Sequence, residues 1–477
     1  MGRAGEPSRR TMRRIYLLMV IAALGFSCTI GVVMHDAASD GKPLVFKTRD
    51  ISGWNLEFET STSGTYAYTY NKYTSNGSCW MGVNEAGLAM TQSAAYNMGT
   101  SASGYNNASI MNYALANFTT VDEFEDLLIE TDATGRATAA NYAVIDAFGN
   151  GAIFEVGSWE HQRYDPDTSG ILTRGNFSYI GSSDRRGLER MNRAKALMQH
   201  AKSVDSLTAE FVGMKVIADL ERTGNDPYPL PFSGSFPGCP VGYVDTDSSN
   251  IETINNEQTH VAGVFKGVPP GGDPENCHAF GYFACPAVSV PFVLFPASHQ
   301  PTSSTSSSTQ WALYNACVDR YNDAFNLSDG TLFDTSYLFD GLGGGIWTFT
   351  RDINHWVYDT VRTQLDIWEL APPTPGEREA FQDDVLEQVY AAYIGGFMVG
   401  INENRPEQLS LEAHPNPFNS ATEIVHTGNI RIVDAAGREV AFLPDGQNIW
   451  RPTDLPSGVY MAISEKGQSS LKIVYLK

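Results

Sequence analysis

The residues that could do chemistry cluster early in the chain. Cys28 closes a cationic and apolar leader, and Lys47, Arg49 and Asp50 stand together on the next strand-like run but one. A thiol attacks as its thiolate, and a thiol of ordinary pKa, about 8.5, needs a base to become one. A cysteine at a mature N-terminus brings that base with it. Its α-amine, ordinarily near pKa 7.7–8.0, can take the thiol proton and later give a proton to a leaving amine. This chemistry requires the chain to be cut immediately before Cys28.

The leader has the composition for such a cut. Arg3, Arg9, Arg10, Arg13 and Arg14 against Glu6 make a basic start, and the apolar run from Ile15 to Phe26 follows. A spanning helix needs roughly 20 apolar residues, so residues 1–27 read as a secretory signal peptide rather than an anchor. Gly25 and Ser27 supply the small residues expected three before and one before a cut that leaves Cys28 first. The competing reading is a lipoprotein signal, which also ends at a cysteine but favours Leu three before it and Gly or Ala just before it. Lipid on Cys28 would remove the base. No other apolar run is long enough to span a bilayer, so the mature chain is expected to be secreted or held at the cell surface.

Composition bounds the partners. The chain has 477 residues, with 54 Asp and Glu against 32 Lys and Arg and a net charge of −22. Without a basic patch in the body, nucleic acid and anionic membrane surfaces are poor partners. At 42 % hydrophobic residues it can bury a large core. Six cysteines in an exported chain allow disulfides, with Cys277 and Cys285 the pair nearest in sequence. There is neither a CxxC nor an HExxH motif, so a metal site has no support.

The elements that must position Cys28 begin with a hairpin. Thr29–Met34 and Pro43–Lys47 read as strands around turn chemistry at Asp40-Gly41. If the turn centres near Ser39, Cys28 opposes Asp50, whose carboxylate would hold the ammonium while Lys47 and Arg49 favour the thiolate. Further strand signals lie at Gly64–Tyr70, Gly87–Gln92, Asn141–Asp146 and Ala152–Val156. Helical periodicity covers Val121–Glu130, Leu188–Ala201, Leu207–Asp219, Trp311–Asn326 and Pro375–Met398. Residues 224–301 look irregular, and Ser303–Gln310 reads as an exposed Ser/Thr loop. Strands and helices mix in blocks without a βαβ rhythm, which argues for α+β layers.

Several segments carry a resemblance. Cys28-Thr29-Ile30, Asp40–Leu44 and Phe46–Asp50 resemble the start of the N-terminal-nucleophile (Ntn) cysteine hydrolases of the penicillin V acylase, bile salt hydrolase and isopenicillin N acyltransferase-like group; Thr48 stands where that group usually has Asn. Gly82–Ala89 (GVNEAGLA) is similar to a segment after which a backbone N–H, here near Ala94, helps form the oxyanion hole. Leu172–Phe177 resembles the segment whose Asn donates to the oxyanion, which carries over to Asn176, and Glu189–Ala194 puts Arg190 in the place of the arginine beside the nucleophile. Residues 264–291 also resemble a late segment of the group. Read alone, Asn176 is equally a turn residue, Arg190 a solvated helix arginine, Glu155 a structural carboxylate, and His260 and His278 satisfied loop histidines. The resemblance implies a four-layer αββα sandwich over 28–404. It also implies catalytic roles for Cys28, Lys47, Asp50, Asn176 and Arg190, a small-molecule acyl-amide substrate, and no metal or organic cofactor. A dipeptidase or acyltransferase on the same scaffold, or a catalytically silent surface protein, remain the alternatives.

The composition changes after residue 404. Residues 405–413 read as a linker and 414–477 as a small β-sandwich with strands at Ile430–Asp434, Val440–Leu443, Val459–Ser464 and Leu471–Leu476. His414–Ser420, Ile432–Val440 and Pro456–Tyr460 resemble the C-terminal sorting domain of the type nine secretion system, which implies outer-membrane secretion machinery as a partner. Intact-mass analysis of the exported protein is expected to show cleavage between Ser27 and Cys28; a cut elsewhere or a blocked N-terminus removes the proposed base.

Overall fold

The computed structural model describes residues 27–396 apart from 52, 54, 55, 223, 248–252, 301–303 and 329. In the tail it describes 412–414, 420–425, 429–433, 438–444, 449–452, 455–464, 470–475 and 477. The leader lies outside the described residues except for Ser27, as do 405–411 of the linker and residues 415–419 and 434–437 of the tail motifs.

Two antiparallel sheets are built from strands that the sequence interleaves with turns. The first has the order β10-β1-β2-β12-β13-β14, with β1 Thr29–Val33, β2 Leu44–Asp50, β10 Ile171–Arg174, β12 Thr259–Lys266, β13 His278–Phe283 and β14 Phe292–Leu294. The second runs β3 to β9 in chain order: Leu56–Ser61, Tyr68–Tyr73, Cys79–Asn84, Ala89–Ala94, Ala140–Ile145, Gly151–Val156 and His161–Tyr164. β1 and β2 pack face to face against β6 and β7. Every residue of β2 is buried although Lys47, Thr48, Arg49 and Asp50 are polar. A strand covered on both faces has to satisfy such groups internally.

Helices cover the outer faces. Helix α1 (Ser109–Asn117) and α2 (Val121–Thr134) lie on the second sheet. On the first lie α3 (Leu188–Ser203), α5 (Ser304–Ala324), α6 (Trp347–Leu370) and α7 (Pro375–Gly395), with the single turn α4 (Ala209–Phe211). The architecture is the four-layer αββα sandwich. One core fills the space between the sheets and under α3–α7, with Phe46, Met81, Val264 and Phe280 among its members. A second lies between the second sheet and α1 and α2, around Met90, Leu115, Phe124 and Phe154. Among the described residues no helix is long and apolar enough to cross a membrane.

Several expectations are corrected. The Ser/Thr tract is not a loop: α5 begins at Ser304, and Gln310 Oε1 accepts the Phe58 N–H at 3.1 Å. Ser and Thr lie only roughly half a kcal/mol below Ala in helix propensity, which the packing of Leu313, Tyr314 and Cys317 overrides. Residues 224–301 contain β11 (Tyr243–Asp245) and three strands of the first sheet, β12 to β14. Their Gly, Pro and aromatic content hid the period because β12 is buried on both faces. The helix expected over Leu207–Asp219 breaks at α4 into a π-turn, Val212–Val216. There, an added Cβ on Gly213 would meet the Tyr282 and Tyr358 hydroxyls. Helix α6, with Ile353, Val357, Val361 and Leu365 buried at four-residue spacing, escaped the reading. Cys277 and Cys285 are free thiols; the whole of β13 separates them, at roughly 3.3 Å per residue.

The chain divides into two compact units, Met1–Val399 and Gly400–Lys477. The second holds two small antiparallel sheets, one of Glu412–His414, Thr422–Val425 and Ile449–Trp450, the other of Ile430–Val433, Glu439–Leu443, Gly458–Ser464 and Ser470–Tyr475. Its own core includes Ile424, Ile432, Trp450, Tyr460 and Ile473.

The GVNEAGLA segment is a clamp that fixes where β6 starts. Asn84 Nδ2 donates to Leu115 O at 2.9 Å and Phe118 O at 2.8 Å, while its Oδ1 accepts from Ala86 N at 3.1 Å and Leu88 N at 2.9 Å. Asn84→Ala strands four main-chain groups. Two of these bonds are buried, and at about 1–3 kcal/mol for each buried group left unsatisfied, a loss of about 2–6 kcal/mol is expected in urea unfolding; a midpoint equal to wild type would refute the clamp.

Candidate active site

The β1–β2 ladder sets the surroundings of Cys28. Thr29 pairs with Thr48, Ile30 with Lys47 and Val33 with Leu44, so one further step puts Cys28 opposite Arg49. The expected partner, Asp50, is one residue out. The connection from Met34 to Pro43 is wound more tightly than a turn centred on Ser39: Ala37 and Ala38 both donate to Met34 O at 3.0 Å, and Gly41 donates to Ala38 O at 3.0 Å. A one-residue slip changes faces. Cys28, Lys47 and Arg49 therefore share the face turned to the second sheet, where Lys47 Nζ donates to Gln92 O and Arg49 Nη1 to Asn71 Oδ1 at 2.8 Å. Asp50 turns to the other face, its Oδ1 accepting from Thr259 Oγ1 at 2.6 Å and its Oδ2 from Asn256 Nδ2 at 2.7 Å.

Asn176 joins the pieces. Its Oδ1 accepts from the Cys28 main-chain N at 2.5 Å and from Arg190 Nη2 at 2.7 Å, and its Nδ2 donates to Ala94 O at 2.9 Å. Two donors facing Oδ1 fix the amide's orientation. Nδ2 carries two hydrogens, so one stays available beside Cys28. Ala94 ends β6. Ala95 N bonds Ala139 O, so by antiparallel alternation the N–H and C=O of Ala94 both point away from β7. On that side the β5 pairing has already stopped at Thr91. The Ala94 N–H and the Asn176 amide thus converge on the same side.

Two glycines allow this approach. Gly187, the residue before α3, has φ +85°, and a Cβ there would lie 2.5 Å from Arg190 Nη2. At Gly175 a Cβ would lie 2.6 Å from Gly187 O. Without side chains the end of β10 and the start of α3 touch backbone to backbone, and Asn176 N donates to Arg186 O at 3.0 Å.

The charged groups are buried. Burial lowers the Lys47 pKa and lowers that of Arg49 to about 10. Burial raises Asp50 to about 6 against the pull of Arg190, its Thr259 and Asn256 hydrogen bonds, and Lys47. Tyr96, with Arg186 5.1 Å from its ring centroid, is also pushed upward, by burial first and by the Cys28 charge second. Cations beside a thiol favour its thiolate.

The reading missed the residues that hold Asn176 in place. Ser93 Oγ donates to Gly175 O at 2.6 Å, Asn141 Nδ2 to Phe177 O at 3.0 Å, and Ser178 Oγ to Asn141 Oδ1 at 2.7 Å. Asn is depleted in strands, so Asn141 inside an apolar run was the available signal. Glu155 is structural: buried, it accepts from Arg174 Nε at 2.8 Å and Ile180 N at 3.0 Å. His260 and His278 sit in strands rather than loops, their Nδ1 atoms bonded to Gly53 O and Asn276 O, and burial holds both at about 4.

Residues 39–211 match the model of the acyl-coenzyme A:6-aminopenicillanic acid acyl-transferase family. The matched segment contains Lys47, Asp50, Ala94, Asn176 and Arg190, and Cys28 lies just before it. Among solved structures, penicillin V acylase from Agrobacterium tumefaciens is 18 % identical with a TM-score of 0.36, covering 56 % of this chain and 86 % of its own. A variant of conjugated bile acid hydrolase from Clostridium perfringens is 12 % identical with a TM-score of 0.35, covering 56 % and 92 %. The Caenorhabditis elegans ortholog of N-acylethanolamine-hydrolyzing acid amidase is 14 % identical with a TM-score of 0.31, covering 52 % and 95 %. No curated protein matches the sequence.

The state of Asp50 is open to measurement. Its pKa rises on folding from 3.8 to about 6, so the folded chain holds that proton more tightly than the unfolded one. The group costs nothing below the unfolded value, and its penalty grows to about 3 kcal/mol as pH passes the folded value. The stability of Asp50→Asn relative to wild type is expected to improve by about that amount from about pH 3.5 to about pH 7.5, read by urea unfolding at each pH. A difference that stays flat with pH would show that Asp50 is not perturbed.

Proposed function

We propose that this chain is an exported amide hydrolase whose nucleophile is Cys28, released as the N-terminal residue by cleavage after Ser27. The observation that carries the reading is the bond from the Cys28 main-chain nitrogen to Asn176 Oδ1. After cleavage, that nitrogen is an amine held beside its own thiol. The amine takes the thiol proton, and the sulfur attacks the acyl carbonyl carbon. The Ala94 N–H and the second Asn176 N–H donate to the resulting oxyanion. The ammonium then protonates the leaving nitrogen as the C–N bond breaks, leaving a thioester on Cys28. Water, its proton taken by the amine, attacks the thioester and frees acid and thiol; an amine in place of water makes the same enzyme an acyltransferase.

Arg190 is a positioning residue, through Asn176 Oδ1 and the Cys28 carbonyl, and Asp50 offsets its charge. The leader supports export, and the tail's likeness to sorting domains supports delivery to the outer membrane and the cell surface.

Cys28→Ser keeps the amine but substitutes a hydroxyl that is far harder to deprotonate. Turnover of an acyl-amide panel is expected to collapse while binding persists, and mass spectrometry of wild type should trap an acyl adduct on Cys28. Asn176→Ala is expected to lower kcat by roughly 10²–10³. Cys28→Ser hydrolysing within a few-fold of wild type would overturn the reading.

A further inference from the structure

In the helix layer on the first sheet, α3, the π-turn Val212–Val216 and the start of α6 border a cavity of about 500 Å³. That volume falls within the roughly 300–1,000 Å³ of small-molecule sites. None of Cys28, Lys47, Ala94, Asn176 and Arg190 lines it. Its wall is apolar: Leu197 from α3, Phe211 and Met214 from around the π-turn, Leu230 and Phe339 from loops, and Trp347 from the start of α6. All six are half-buried, so these side chains coat an open space rather than fill a core.

The backbone is shaped to keep that space. Ile217 N donates to Val212 O at 3.0 Å, the five-residue bond of a π-turn, and such turns are frequent at functional sites. Inside the turn Gly213 rests on Tyr282 and Tyr358, whose hydroxyls would lie 2.3 Å from an added Cβ. With Gly213 pressed toward the sheet, the side chains of Met214 and Lys215 turn to the cavity.

The charges around it do not cancel. Asp219 is the one carboxylate lining the cavity among the described residues, and its two oxygens are held by Arg193 Nε and Nη2 at 3.0 and 3.1 Å. Lys215 and Arg351 also line the cavity, both are exposed, and neither forms an ion pair or a side-chain hydrogen bond with a described residue. The Arg351 guanidinium carbon stands 4.1 Å from the Trp347 ring centroid, which holds that charge against the apolar wall. Partial burial first, then Arg351, lower the Lys215 pKa, with Asp219 opposing. Two like charges therefore stand close enough to repel at the rim of an apolar cavity.

We propose that this cavity binds an anionic amphiphile, its apolar chain against Leu197, Met214 and Trp347 and its head between Lys215 and Arg351, at a site separate from Cys28. The inference does not depend on the amidase reading. An anion offsets the repulsion between the two cations, and the chain removes from water the apolar surface that the wall leaves half-exposed. Carboxylate and sulfate heads share this chemistry, and decanoate and decyl sulfate tell them apart.

Calorimetry with the purified protein, below the micellar concentration of each probe, tests the site. At least one of the two anions is expected to bind tenfold or more tightly than decyltrimethylammonium, which has the same chain and the opposite head, and added salt should narrow that gap. Binding of one anion but not the other supports the site and assigns the head. Lys215→Gln combined with Arg351→Gln should weaken that anion about tenfold, as loss of two exposed charge contacts implies, and should not weaken decyltrimethylammonium. Leu197→Trp fills the cavity and should abolish binding of the anion; the paired Gln substitutions, both at exposed positions, carry the test if that variant does not fold. The proposal is overturned if neither anion binds, or if neither binds more tightly than decyltrimethylammonium. Binding that the paired Gln substitutions or a folded Leu197→Trp leave unchanged also overturns it, because the ligand then sits elsewhere.

Discussion

A single amide side chain stands at the point where four elements meet. Asn176 accepts from the first residue of the β1 arm and from α3, donates to the end of β6, and is itself the residue after β10. A buried amide with both ends engaged is held in one rotamer, because every alternative leaves unsatisfied groups in a low-dielectric interior. The glycines at 175 and 187 and the polar brace of Ser93, Asn141 and Ser178 follow from that requirement. Each brings backbone close enough, or holds it firmly enough, for Asn176 to reach its partners.

The same interior holds more positive charge than it neutralises. Lys47, Arg49 and Arg190 are all buried, with Asp50 the carboxylate set among them. Taking a charge out of water costs several kcal/mol unless pairing recovers it, so the site is destabilised relative to an apolar core and favours anions. In a chain of net charge −22, three buried cations here stand against one carboxylate.

The motifs and the geometry divide the labour. GVNEAGLA does no chemistry of its own: through Asn84 it fixes the turn and the start of β6, and so places Ala94 at the strand's far end. The Glu155–Arg174 pair does likewise for β10. The match over residues 39–211 spans these positioning elements together with Lys47, Asp50, Asn176 and Arg190, but not Cys28.

The sequence by itself determined the local features. Cys28 after a leader, the hairpin strands, the start of α3 at Leu188 and the tail strands all follow from composition, turn residues and short periods, which depend on neighbours in the chain. Cys28, Lys47, Asp50, Asn176 and Arg190 were legible as a set only through their motifs. Tertiary structure alone decided which of them touch. The one-residue change of register moved Asp50 off the face that Cys28 occupies and put Arg49 there, because the winding between Met34 and Pro43 depends on hydrogen bonds that no local pattern encodes. The Ser/Thr tract became helix, and the buried strands β12 to β14 emerged from an apparently irregular stretch, because burial on both faces erases the alternation by which a strand is read. The contact of Arg49 with the Tyr73 and Trp80 rings was equally invisible, since a bulge and a second sheet have to bring residues far apart in the chain together.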